Sequence, residues 1–327
     1  MLPAVRDTPA RPAPGRWRLA KASPRGFSWR EAFARALDCE ALIRCDVATV
    51  LEAARAAAAG VTPEPNCWVA TPVHLLPGLT QVHAPLDAVL TLPQDEADEL
   101  ADHFHPVFGS DSSLRLLPVG SSGFLLHGLQ AEGVTSLEPA ALRGRNLEHC
   151  QPQGAGASRL RALMSEIEMW LHDLPLNRRR ETRGLPSISS LWLWGAGASA
   201  GAGAWPRDAG HRLAVCASDD PWVEAACELL GLVQHDLPQT AEALWQDPLW
   251  AREPEGRWIV VLAGWDLSRL EHDWLAPLCR ALSDGRLGRV QIETADQSLS
   301  LARRDRWRLW RQKASPLQRL VLQTGAT

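Results

Sequence analysis

Apolar residues recur at helical spacing after Ser158. Leu160, Leu163, Met164, Ile167, Trp170, Leu171 and Leu174 fall on one broad face, and Pro175 stops the run. Ser158 stands where an N-cap is needed. The same logic places a helix behind Ser28, through Trp29, Phe33, Ala36 and Leu37. Residues 46–59 form an Ala-rich helical segment closed by Gly60 and Pro63. Pro93 opens an acidic helix that carries Glu96, Asp98, Glu99, Leu100 and Phe104.

Other stretches carry the pattern of strands. Residues 67–72 are a short apolar run, followed by a loop with His74. Residues 82–92 are extended, with Pro85 implying an edge or a bend. Residues 114–119 and 124–129 pair as a hairpin around Gly120-Ser121-Ser122-Gly123. The stretch 66–150 is therefore a small α+β unit, and 151–157 (QPQGAGA) is a linker or loop.

Beyond the 158–174 helix lies a basic turn, Arg178 to Arg183. Strands and helices then alternate. A strand over 188–194 ends in Gly195-Ala196-Gly197, and another covers 212–217. A helix over 222–230 ends at Gly231, and 233–237 is a short strand. Helix 241–245, the continuous apolar run 258–263, helix 275–282 and strand 289–293 follow. This alternation predicts an α/β fold, with a mixed or mostly parallel sheet and helices on both faces. The expected division is a loosely ordered N-terminus over 1–26, helices with the small α+β unit over 27–150, and an α/β domain over 158–327.

Composition narrows the chemistry. The 327 residues carry 34 basic and 38 acidic side chains, a net charge of −4 that disfavours nucleic acid as the partner. No run approaches the roughly 20 apolar residues of a membrane helix. There are 15 Trp and no Tyr, so no phenol serves as an acid or base. Lys21 and Lys313 are the sole lysines, which excludes a P-loop or an internal Schiff base. The seven cysteines are scattered without a CxxC pair, and no apolar leader precedes Arg30. Free thiols and a cytoplasmic location are the expectation.

Several motifs are candidates for function. Trp192 to Gly201 has the form of a strand entering Gly-x-Gly-x-x-Ala, a dinucleotide fingerprint. Gly201 to Pro206 form helices poorly, and no acid sits at the expected strand end, so a tight structural turn is favoured. Asp102-His103-Phe104-His105 suits a metal only if extended, because a helix points the two rings about 200° apart. The tail Arg303 to Arg311 interleaves arginines with Trp307 and Trp310. That pattern fits base stacking, or an amphipathic closing segment.

Two stretches together resemble a known family. One runs from Ser158 through Arg183 and Pro186 into Ser190-Leu-Trp-Leu-Trp-Gly-Ala-Gly197; the other is Cys67-Trp-Val-Ala-Thr-Pro-Val-His74. They resemble the proteobacterial RpfE-type regulatory proteins, often labelled cofactor-independent phosphoglycerate mutase. The region from the Gly195 turn through Arg212–Ser218 to Gly231 is similar to archaeal-type phosphoglycerate mutases. That resemblance implies an alkaline-phosphatase-superfamily fold and a two-metal site of Asp and His ligands around a Ser or Thr nucleophile. The sequence departs from this pattern. It shows no N-terminal strand-Gly-Asp motif with a nucleophile segment after it. Where ligands are expected after 258–263 it has Asp266 and His272, and after 289–293 it has Asp296. Three remnants do not furnish two metal sites.

The resulting expectation is a degenerate phosphoglycerate-mutase-like protein without metal or cofactor. It would act by binding a protein partner or a small phosphorylated ligand, with no membrane association. The alternatives are a metal-dependent mutase or phosphohydrolase built around His74, His103 and His105, and a nucleic-acid-binding protein using the Arg/Trp tail. His74, Arg183 and the Gly195–Gly197 backbone are expected to face one anion pocket. The competing expectation is that Arg183 closes its helix and His74 lies in a surface loop.

Overall fold

The computed structural model describes residues 17–18, 23–24, 28–78, 81–109, 113–120, 123–196, 205, 214–218, 220–246, 248, 257–262, 269–293, 297–307 and 313–314. It is a mixed α/β structure of helices and small sheets. None of its described helices is long and apolar enough to cross a membrane. Most of the 1–26 stretch lies outside the described residues, as do Gly197, Asp266, Asp296 and Trp310.

The chain divides into two compact units. One comprises Arg44–Trp205 with Pro221–Leu229; the other comprises Leu2–Ile43, Pro206–Asp220 and Leu230–Thr327. The strand Ser190–Trp194, expected to open the α/β domain, pairs antiparallel with Trp68–Val73. Both strands are buried along almost their whole length, so each reads as a continuous apolar run whatever the direction of its neighbour.

In the first unit we label, in chain order, α1 (Val47–Ala59), β1 (Trp68–Val73), α2 (Gln94–Phe104), β2 (Arg115–Val119) and β3 (Gly123–His127). They are followed by α3 (Ala157–Asp173), α4 (Pro175–Thr182) and β4 (Ser190–Trp194). The four strands form one antiparallel sheet in the order β4-β1-β3-β2. The expected hairpin is β2–β3, and the left-handed Gly120 (φ +58°) begins its turn.

Helix α3 lays Leu160, Leu163, Met164, Ile167 and Leu171 into the core of this unit, as their spacing predicts. Its N-cap is Gly156 rather than Ser158. Trp170 is half-buried, not buried: it meets Phe104 and Phe108 edge-on, with ring centroids 5.7 and 5.5 Å away. The basic turn is in fact helix α4, because Pro175 both stops α3 and starts the next helix at its first position. Residues 153–154 pair with Val134–Thr135, so the 151–157 stretch is stitched to the fold.

The second unit holds a three-stranded sheet in which Ala214–Ala217 pairs in parallel with Val233–His235 and with Arg257–Val260. Arg289–Glu293 pairs antiparallel with Gln297–Ala302. The alternating sequence pattern thus resolves into separate small sheets. Helix Trp29–Ala36 is capped as expected, with Glu31 N–H donating to Ser28 Oγ at 3.2 Å.

Candidate functional site

Helix α4 ends on the Arg183 cap, whose N–H donates to the Arg179 and Arg180 carbonyls. The Arg183 side chain, 63% exposed, reaches Glu96 Oε1 of α2 at 3.1 Å. Arg180 is buried against the same carboxylate, and its Nε donates to the Pro186 carbonyl. One residue further on, the Ser187 carbonyl lies 2.8 Å from Nδ1 of the half-buried His74. The chain therefore brings His74 and the arginines of α4 to one end of the sheet.

Gly195 lies at the other end. The antiparallel register sets Ser190 against Val73 and Trp194 against Val69. Five residues of strand separate the two ends, about 17 Å at the usual rise of ~3.4 Å per residue. The register thus sets His74 and Gly195 at opposite ends of the paired strands. The Gly195 backbone is committed elsewhere: its carbonyl accepts from Ala48 N–H at the start of α1. A Cβ there would stand 3.2 Å from Val47 Cβ and 3.3 Å from Val69 Cγ2. The glycine serves close packing and a positive φ of 70°, which supports the tight-turn reading.

The other titratable candidates are separate. His103 is on α2, its Nδ1 2.8 Å from the Glu99 carbonyl, and His105 follows at the helix end, so the pair is helical and splayed. His272 is exposed on the 270–275 helical turn. Among the described residues no three His, Cys, Asp or Glu side chains gather as a metal site.

A concave site in the first unit is a cavity of about 220 Å³ beside α3. Leu75, Val82, Leu147 and Met164 supply its apolar surface. Glu148, Gln151, Arg161, Ser165 and Glu168 supply its polar surface. Burial pushes the Glu168 carboxyl above the ordinary range, and the Ser190 hydroxyl offsets part of that shift. Ser190 is wholly buried, and its Oγ has no partner of full hydrogen-bond geometry. The Arg161 guanidinium donates to the Pro152 carbonyl at 2.7 Å.

A second constellation has a buried centre. Glu52 of α1 and His127 of β3 are each 1% exposed, and His127 Nε2 lies 3.0 Å from Glu52 Oε2. The other ring nitrogen, Nδ1, stands 3.3 Å from Glu64 Oε2. Arg55 grips both Glu52 oxygens, at 2.7 and 2.6 Å, and Arg115 pairs with Glu64. Burial alone would raise the Glu52 carboxyl; the Arg55 bonds, the Glu64 N–H and the nearby His127 hold it below the usual carboxylate range. Glu64 is lowered chiefly by its Arg115 bond. The neighbouring Cys67 thiol is pushed up by burial to about 12, which makes it inert.

Neither constellation is evident from motif spacing. The sequence signal for the second is a carboxylate at Glu52 within an otherwise Ala/Val/Leu face, with Arg55 three residues on. For the first it is Glu168 at the margin of the α3 stripe, four residues after Met164.

No protein-family model matches the chain. A probable 2,3-bisphosphoglycerate-independent phosphoglycerate mutase from Geobacter sulfurreducens is 29% identical over 125 residues, which is 38% of this chain and 31% of that protein. The matched segment thus spans about a third of the relative's length. A cofactor-independent phosphoglycerate mutase from Thermoplasma acidophilum aligns with a TM-score of 0.33 and 15% identity, over 77% of this chain and 71% of that one. The PH0037 protein from Pyrococcus horikoshii aligns with a TM-score of 0.38 and 13% identity, over 75% and 58%. Scores this low do not establish a shared fold. The sequence match shows a distant relationship to cofactor-independent phosphoglycerate mutase.

Proposed function

We propose that this chain, starting from that distant relationship, is a phosphoglycerate-mutase-like protein of alkaline-phosphatase-superfamily ancestry that acts by binding rather than by metal-dependent phosphotransfer. A regulatory role, of the kind implied by its resemblance to RpfE-type proteins, accompanies this reading. The observation that carries it is the commitment of the acids. Glu52 is held by Arg55, Glu64 by Arg115, Glu96 by Arg180 and Arg183, and Glu99 by Arg179. A two-metal phosphotransfer site needs several carboxylates and imidazoles free to converge on the ions. Carboxylates neutralised by guanidinium groups are poor ligands, because a cation would have to displace a bidentate or buried partner.

The partner on this reading is a protein or a small phosphorylated ligand, met in a reducing cytoplasm. Cys39, Cys67, Cys150 and Cys279 are free thiols, which is compatible with that setting. The test is elemental analysis of the purified protein together with mutase and phosphatase assays in Mg²⁺ and Mn²⁺. The expected result is no stoichiometric metal and no metal-dependent turnover. Turnover with two bound metal equivalents, abolished by Asp266→Ala, His272→Ala or Asp296→Ala, would establish the enzyme instead.

A further inference from the structure

The polar walls of the cavity beside α3 are not neutral. Glu148 and Glu168 face it with one guanidinium, that of Arg161. Arg161 already donates to the Pro152 carbonyl, and like Glu148 it lies exposed at the rim. Glu168 sits deeper, half-buried, with the wholly buried Ser190 hydroxyl beside it. Leu75, Leu147 and Met164 provide apolar surface in the same space. An anion entering here would meet the Glu168 carboxyl and an excess of acidic groups. A cation with a short alkyl body would meet a counter-ion and an apolar wall.

We propose that this cavity binds a small ligand carrying a protonated amine, with Glu168 as its counter-ion and Leu75, Leu147 and Met164 against its alkyl part. Ser190 can donate its hydroxyl proton to Glu168, holding the carboxylate in place while its other oxygen receives the ammonium. The volume of about 220 Å³ limits the ligand to a small metabolite. Burial raises the Glu168 pKa, which makes binding proton-linked: an ammonium favours the ionised carboxylate, so affinity rises with pH as Glu168 ionises. Glu148 and Arg161 are the other charged groups facing the cavity, and both are exposed to solvent. This inference does not rest on the proposed function, which invokes none of the residues lining the cavity.

The experiment is ligand-observed NMR and calorimetry on the full chain, using n-pentylammonium and n-pentanoate as matched probes. Pentylammonium is expected to bind, more tightly as pH rises, and to release protons in proportion; pentanoate is expected not to bind. Glu168→Gln, which keeps the shape and removes the charge, is expected to weaken pentylammonium by about tenfold or more. Glu148→Gln at the rim is expected to change it far less. A thermal melt of each variant confirms folding. No pentylammonium binding at millimolar concentration, equal or tighter binding of pentanoate, or unchanged affinity in the folded Glu168→Gln chain would overturn the proposal.

Discussion

Glu52 and His127 are 75 residues apart in sequence and meet inside the fold at 3.0 Å, carboxylate oxygen to ring nitrogen. The contact ties α1 to the end of β3. Arg55 pairs with Glu52 on one side, and Glu64 stands beside the other ring nitrogen of His127. Removing Glu52 takes the carboxylate away from both the buried His127 and Arg55. Glu52→Ala is therefore expected to destabilise the first unit by about 3–5 kcal/mol, the usual cost of breaking a buried pair. Urea unfolding followed by tryptophan fluorescence measures this, and a loss under about 1 kcal/mol would contradict the buried geometry.

The same cluster sets a pH dependence. Glu52 and Glu64 both titrate below the ordinary carboxylate range in the folded chain. A depressed folded value contributes stability that is fully present above the unfolded pKa, and it is lost as pH falls through the folded value. Stability should therefore decline in acid. The Glu52→Gln, Glu64→Gln double variant should be less stable than the parent at neutral pH and show a shallower acid decline. Identical slopes for the two proteins would refute this.

Glu168 predicts the opposite sign. Its folded pKa is raised, so its ionisation penalises the fold as pH rises through that value. Glu168→Gln is expected to stabilise the chain at neutral pH and to leave it unchanged in acid, where the parent carboxyl is already protonated. Paired thermal melts at two pH values check this, and equal effects at both would show that burial does not govern Glu168.

Gly195 is constrained by conformation and by space together. Its φ is +70°, and an added Cβ would press on Val47 and Val69 at 3.2 and 3.3 Å. Gly195→Ala is expected to cost about 1–3 kcal/mol, combining the left-handed backbone with the tight approach of α1. Gly60, also left-handed (φ +66°) but with open space around its Cβ position, provides the control. Gly60→Ala should cost less. Equal losses at the two sites would show that the contact with α1 contributes nothing.

Trp170 lies at the margin of the core, against Phe104 and Phe108. Trp170→Ala should cost about 2 kcal/mol, less than the roughly 3–5 kcal/mol of a fully buried aromatic. Denaturant midpoints at constant slope measure it. A loss above about 4 kcal/mol would mean that the ring is enclosed.

The sequence by itself determined the elements whose stability is local. The apolar stripe of α3, the Ser28 cap, the β2–β3 hairpin and the stop at Pro175 depend on spacing and on backbone chemistry within a few residues. It could not determine which strands pair. β4 is apolar at nearly every position, and such a run suits a parallel or an antiparallel neighbour equally well. Only the packed structure sets Ser190–Trp194 against Val73–Val69. The candidate sites follow the same rule. His74 and Gly195 each follow a strand, and only the antiparallel register of those two strands places them at opposite ends. Glu52 and His127, or Glu168 and Ser190, look unrelated until burial brings them together. An ionisable side chain acquires its character from the charges and solvent around it, and in this protein those are supplied by residues far away in the chain.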